Sequence, residues 1–77
     1  MRDLLDFLTR SLVENPDQVQ VTEAEEVDGE VVLEVEVAED DLGRVIGRGG
    51  RVANALRSVM KAAATREDKR VVVDILD

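Results

Sequence analysis

The stretch Val45-Ile46-Gly47-Arg48-Gly49-Gly50-Arg51-Val52 joins two segments of helical periodicity, and its three glycines decide how the chain is read. Upstream, Glu39-Asp40-Asp41 sets acids where a helix would start, which suits the positive end of a helix dipole and the preference for Asp at a cap. That helix has room to run only to about Ile46. Downstream, Val52, Leu56, Val59, Met60 and Ala63 recur at helical spacing, supported by Ala53, Ala55, Ala62 and Ala64, so a longer helix is predicted through about Thr65. Glycine between the two allows positive φ and lets the main chain come close to something outside it. By spacing alone such a loop is either a tight helix-turn-helix connection or an anion site built from unsatisfied amides at a helix N-terminus.

Working outward, residues 18–27 and 30–38 read as strands joined at Asp28-Gly29, a dipeptide that suits two-residue hairpin turns. In the second strand Val31, Leu33, Val35 and Val37 share one phase, whereas Val32, Glu34 and Glu36 share the other, the pattern of a sheet with one covered face. Met1, Leu4, Leu5, Leu8 and Leu12 form one helical stripe, and Asn15-Pro16-Asp17 ends it, because proline disfavours helical geometry just before it. Phe7, the sole aromatic, lies off the stripe centre and is expected to seal the core edge, with a self-association contact as the alternative. Residues 69–76 read as a last strand with Val71, Val73 and Ile75 in one phase. The predicted fold is α+β, in the order α-β-β-α-α-β, with helices packed on one face of a three-stranded sheet. The hairpin must be antiparallel, and the long crossover to the last strand permits a parallel pairing, so the sheet is mixed.

The chain of 77 residues is read as a single domain, 1–77, with a small core and little material for a deep pocket. Lacking cysteine and histidine, it has no disulfide, no thiol chemistry and none of the usual zinc or copper ligands. No run approaches a membrane span and no signal peptide is evident, which makes the cytoplasm the expected location. The formal charge of −8 argues at first against a nucleic-acid partner. Its distribution argues the other way: residues 1–43 hold two basic and fourteen acidic side chains, whereas residues 44–70 hold eight basic and two acidic ones. Those cations either decorate a solvated helix or, with Arg44, Arg48 and Arg51 around the glycines, attract phosphate.

Other glycine-loop chemistries fail on spacing. A Walker loop needs Gly-Lys-Ser/Thr, and no Gly-Lys dipeptide exists; a dinucleotide fingerprint needs a glycine where Val52 stands, and needs a strand before the loop. Catalysis would have to rest on carboxylates, Lys or Ser, and the acids alternate along strands or sit at a helix start instead of converging. No catalytic residue, metal ligand or cofactor is expected. Asp40 and Asp41 are read as helix-capping acids, not as ligands of a cation.

Ile46-Gly47-Arg48-Gly49-Gly50, set between two helices with strands on either side, resembles the signature of the KH domain, whose loop clamps the backbone of about four nucleotides. An extra helix and strand ahead of the strand-helix-helix-strand core is similar to the type II, bacterial arrangement. Over nearly the whole chain, the run from Asp41 to Arg57, the alanine-rich helix end and the closing Val71-Val72-Val73-Asp74-Ile75-Leu76-Asp77 are similar to the small stand-alone bacterial KH proteins of the KhpA type. The resemblance implies a type II KH-like fold and an RNA-binding protein that acts as a post-transcriptional regulator or RNA chaperone. It implies binding of short single-stranded RNA, with single-stranded DNA as a possible substitute, through Arg44, Val45, Ile46, Gly47, Arg48, Gly49, Gly50, Arg51 and Val52. Phosphates would lie over the amides of residues 48–51 while bases rest on an aliphatic floor and meet a strand edge. It also implies a homodimer, or a heterodimer with a second, larger KH-containing RNA-binding protein. For such a contact the open sheet face offers Val32, Val72 and Leu76. In that family the third loop residue is usually polar and a lysine is common where Asn54 stands, so Gly49 and Asn54 depart from the pattern.

Overall fold

The computed structural model describes the backbone of residues 1–77 and the side chains of all but residues 25 and 26. Helix α1 spans Arg2–Leu12, β1 Gln20–Val27, β2 Glu30–Glu36, α2 Leu42–Ile46, α3 Arg51–Arg66 and β3 Arg70–Ile75. Short 3-10 turns at Pro16–Gln18, Glu39–Asp41 and Arg48–Gly50 lead into β1, α2 and α3. The first of these turns consumes Gln18, so β1 begins two residues later than the sequence suggests, and β2 stops at Glu36 where the chain bends toward α2. Asp28 (φ 52°) and Gly29 (φ 78°) both take positive φ, the geometry that keeps a two-residue hairpin in step with strand twist.

The sheet has the order β1-β2-β3. Antiparallel β1 and β2 place Val21 opposite Val35, with a register shift between Glu23 and Glu25, and parallel β2 and β3 place Leu33 opposite Val73. The mixed sheet anticipated from the crossover length is therefore present. Val31, Leu33 and Val35 point to the helices and are fully buried with Val21 and Val73; Leu5, Val45, Leu56 and Met60 meet them from above. Each such side chain contributes about 1.5–3 kcal/mol on burial.

Two readings of α1 need correction. The buried helix positions are Leu5 and Thr9, whereas Leu4 and Leu12 are partly exposed. Thr9 is tolerated there because its hydroxyl donates to the Leu5 carbonyl at 2.8 Å, leaving the polar atom satisfied. Phe7 does not seal the core edge; it is 67% exposed, on the side of α1 away from the buried Leu5 and Thr9.

Main-chain direction in the strands fixes what the sheet edges offer. The amides of Arg70 and Leu76 donate inward to the Gly29 and Val35 carbonyls, so the N–H and C=O groups of Val71, Val73 and Ile75 point away from β2. By the same alternation Val35 turns toward β3 and its partner Val21 turns outward on β1. Each edge meets arginines. Arg2 Nε donates to the Val21 carbonyl at 2.7 Å and Arg10 Nη2 to the Val19 carbonyl at 3.0 Å; across the sheet, Arg57 Nε of α3 donates to the Val73 carbonyl at 3.3 Å.

Candidate nucleic-acid interface

The glycine loop is held from both ends. Gly47 closes α2 by donating its amide to the Gly43 carbonyl at 2.8 Å, and the Gly50 amide returns to the Gly47 carbonyl at 3.1 Å. At φ 76°, Gly47 also lies so near α3 that a Cβ would come within 2.5 Å of the Val52 methyl. Only glycine fits, and Val52 acts as the packing anchor that sets the loop against the helix. Gly49 (φ 65°) is left-handed too, but nothing lies within 4 Å of its missing Cβ, so it opens the loop outward. The Arg51 amide donates to the Arg48 carbonyl. Among the described residues, the amides left without a partner in the loop are those of Arg48 and Gly49, a narrower set than the 48–51 run expected from sequence.

The expected site residues divide by burial and by charge. Arg48, Gly49 and Arg51 are exposed, Gly47, Gly50 and Val52 half-buried, and Ile46 is 38% exposed at the end of α2. Val45 is wholly buried in the core cluster, so its side chain positions α2 and does not reach a ligand. Arg44 is committed elsewhere: it pairs with Glu14 and lies 3.4 Å from Asp41. Arg48 and Arg51 have no ion-pair partner among the described residues.

Asp41 does not cap α2 with its side chain, contrary to the sequence reading. Its carboxylate is buried and turned back toward the end of α1, accepting from the amides of Glu14 and Asn15 and from Asn15 Nδ2, each at 3.0 Å. The Glu14 amide foremost, then Asn15 and the Arg44 charge, hold the carboxyl below its usual range against the opposing effect of burial. Asp41 thereby ties the turn after α1 to the helix that presents the loop.

Beyond the loop, α3 offers two unlike flanks. Facing α1, Leu8, Leu12, Val52, Ala55, Leu56 and Val59 line an apolar groove of about 370 Å³, with Val59 46% exposed. The opposite flank carries Gly50, Asn54, Arg57 and Lys61, spaced by three, four and seven residues and therefore on one side of the helix, and Arg57 reaches the β3 edge. Sequence reasoning stopped at Val52 and missed this flank, although the spacing from Gly50 was visible. Among the described residues there is no cluster of acids suited to a metal ion and no helix long and apolar enough to cross a membrane.

A strand-helix-helix-strand core with a tight glycine loop between its helices, preceded by one helix and one strand on the same sheet, is a KH domain of type II. The chain belongs to the KhpA/KhpB KH-domain family, whose model matches residues 2–75. It is similar to the RNA-binding protein KhpA of Clostridium acetobutylicum, 53% identical over 78 residues covering 99% of this chain and 100% of the relative. It is also similar to the RNA-binding protein KhpA of Aquifex aeolicus, 42% identical with 100% and 96% of the two chains covered. Among solved structures, a crystal structure of Aquifex aeolicus Era bound to GDP.AlF4- matches with a TM-score of 0.64 over 96% of this chain and 28% of that one; at 15% identity the likeness shows the fold alone.

Proposed function

We propose that residues 1–77 act as a single KH domain that binds short single-stranded RNA, with Ile46 to Val52 as its clamp, and works by binding and not by catalysis. The observation that carries this reading is the loop itself: among the described residues, the amides of Arg48 and Gly49 have no partner and no acid pairs with the guanidiniums of Arg48 and Arg51. A phosphate suits both groups at once, since it accepts from amides and pairs with arginine. The KhpA relatives carry RNA-binding in their names, and the basic character of residues 44–70 agrees with them. Such a protein works in the cytoplasm, as a post-transcriptional regulator or RNA chaperone.

With no aromatic to stack bases, affinity rests on phosphate contacts. If roughly three or four are made, log affinity falls against log salt with a slope of about −2 to −3. Anisotropy titration of labelled RNA at low salt tests the reading, using the Arg48→Asp, Gly49→Asp double variant. Gly49 has room for the new side chain, and aspartate tolerates its left-handed φ. The variant is expected to lose roughly a hundredfold in affinity while melting like the wild type. Unchanged binding by a folded variant would sink the proposal. Single-stranded DNA of the same sequence measures how far the 2′-hydroxyl matters.

A second chain, another copy or a larger KH-containing partner, is expected to dock on the apolar groove between α1 and α3. The open sheet face is less suited: Val72 and Leu76 are partly exposed there, but Glu30, Glu34, Glu36 and Asp74 occupy the same face and would repel a second copy. In sedimentation at micromolar concentration, Val59→Glu should yield monomer where Val72→Lys does not; the reverse result moves the contact back to the sheet.

A further inference from the structure

We propose that Arg57 reads a base in the RNA, selecting nucleotides that present two adjacent hydrogen-bond acceptors, guanine or cytosine, over adenine and uracil. The inference rests on the RNA-binding reading above and assigns its specificity. Arg57 follows Gly50 by seven residues on the same flank of α3, about 10 Å further along at 1.5 Å per residue. A strand whose phosphate is held at the loop therefore has bases within its reach. The guanidinium is oriented by one bond, Nε–H to the Val73 carbonyl on the free edge of β3. Neither Nη1 nor Nη2 has a partner among the described residues, and no acid is paired with the charge. Fixing Nε leaves the end-on fork, two parallel N–H donors from Nη1 and Nη2.

That fork suits two acceptors side by side. Guanine offers them as O6 and N7, cytosine as O2 and N3, both on edges that an unpaired base exposes. Adenine sets its N6 donor beside every acceptor of its polar edges, and uracil places N3–H between its carbonyls. A mismatched base would leave the fork facing a donor, and discrimination is expected from that repulsion as well as from lost bonds. Val73 contributes nothing chemical of its own; its carbonyl is a positioning group.

The test is anisotropy at fixed low salt with oligouridine and the same oligomer carrying a single central A, C or G, against wild type, Arg57→Gln and Arg57→Lys. Wild type should bind the C or G oligomer on the order of tenfold more tightly than the others. Both variants should fall within about twofold across all four, with lysine restoring general affinity but not preference, since it supplies charge without a fork. A guanine preference that disappears with 7-deazaguanine identifies O6/N7 as the partner; a cytosine preference identifies O2/N3. Equal binding of all four by wild type overturns the proposal, as does a preference that survives Arg57→Gln. A uniform loss with a shallower salt slope also overturns it, because it makes Arg57 a phosphate contact. If wild type binds RNA through the loop yet shows no preference, only this inference fails; if it binds none at low salt, the RNA-binding reading fails with it.

Discussion

Both edges of the sheet are bridged by arginines from the helices, but the chain's own acids engage those beside β1 and not the one beside β3 among the described residues. Just ahead of β1, Arg10 bonds the Val19 and Pro16 carbonyls and both carboxylate oxygens of Asp6, while on β1 Arg2 bonds the Val21 carbonyl and also Asp3. These are the only two basic side chains of residues 1–43, and the chain's own groups occupy both. On β3, Arg57 makes one 3.3 Å bond and pairs with no acid among the described residues. An arginine engaged by its own chain's acids and carbonyls fastens a helix beside an edge. An arginine with spare donors, on the same helix flank as a glycine loop, is the one proposed above to meet RNA.

Substitutions can break that contrast, and the largest effect should come from Gly47→Ala, which collapses the β3 side from its loop. A left-handed alanine costs about 1–2 kcal/mol, and the forced approach to Val52 adds about 1–3 kcal/mol. Thermal unfolding should show a drop of tens of degrees or no folded protein, and an unshifted melt would mean that the Gly47–Val52 approach is not tight. Arg10→Ala should lower stability by about 1–2 kcal/mol through lost charge-assisted bonds, with RNA affinity unchanged. Arg57→Gln should do the reverse, moving stability by less than about 0.5 kcal/mol while altering RNA binding. If the two variants behave alike in denaturant titrations and RNA titrations, the edges are equivalent and the contrast fails.

Asp41 links the two sides, and pH sharpens its role. Its folded carboxyl titrates below the ordinary value of 3.8, so its contribution is complete above that value and is lost as pH falls through the lower folded one. Urea midpoints measured from pH 5 down to pH 2 should show a steeper acid decline for wild type than for Asp41→Asn. Parallel declines would remove Asp41 from the acid response.

Much of this arrangement was legible before any coordinates. Alternation in residues 31–37 and 71–75 set the strand phases, Asp28-Gly29 set the hairpin, and the glycines between two periodic helices marked the loop. What could not be read were partners chosen by tertiary approach. Asp41 sits where a cap belongs, and nothing in its neighbours says that its carboxylate meets amides 26 and 27 residues earlier. Arg44 counted as a free cation until Glu14 and Asp41 took it up. Thr9 lies outside the leucine stripe, and its burial is explained by the bond its hydroxyl donates to the Leu5 carbonyl. Arg57 lay among other exposed helix residues, and its direction emerged only from the β3 carbonyl it reaches.

RNA is proposed to meet the loop and the β3 edge and to leave β1 untouched, which amide chemical-shift mapping of labelled protein with short single-stranded RNA can decide. Perturbations are predicted at residues 47–51, along the Asn54-Arg57-Lys61 flank of α3 and at residues 71–75, with α1 and β1 unmoved. Shifts centred on α1 and residues 19–27, or none at RNA concentrations that saturate binding, would contradict it.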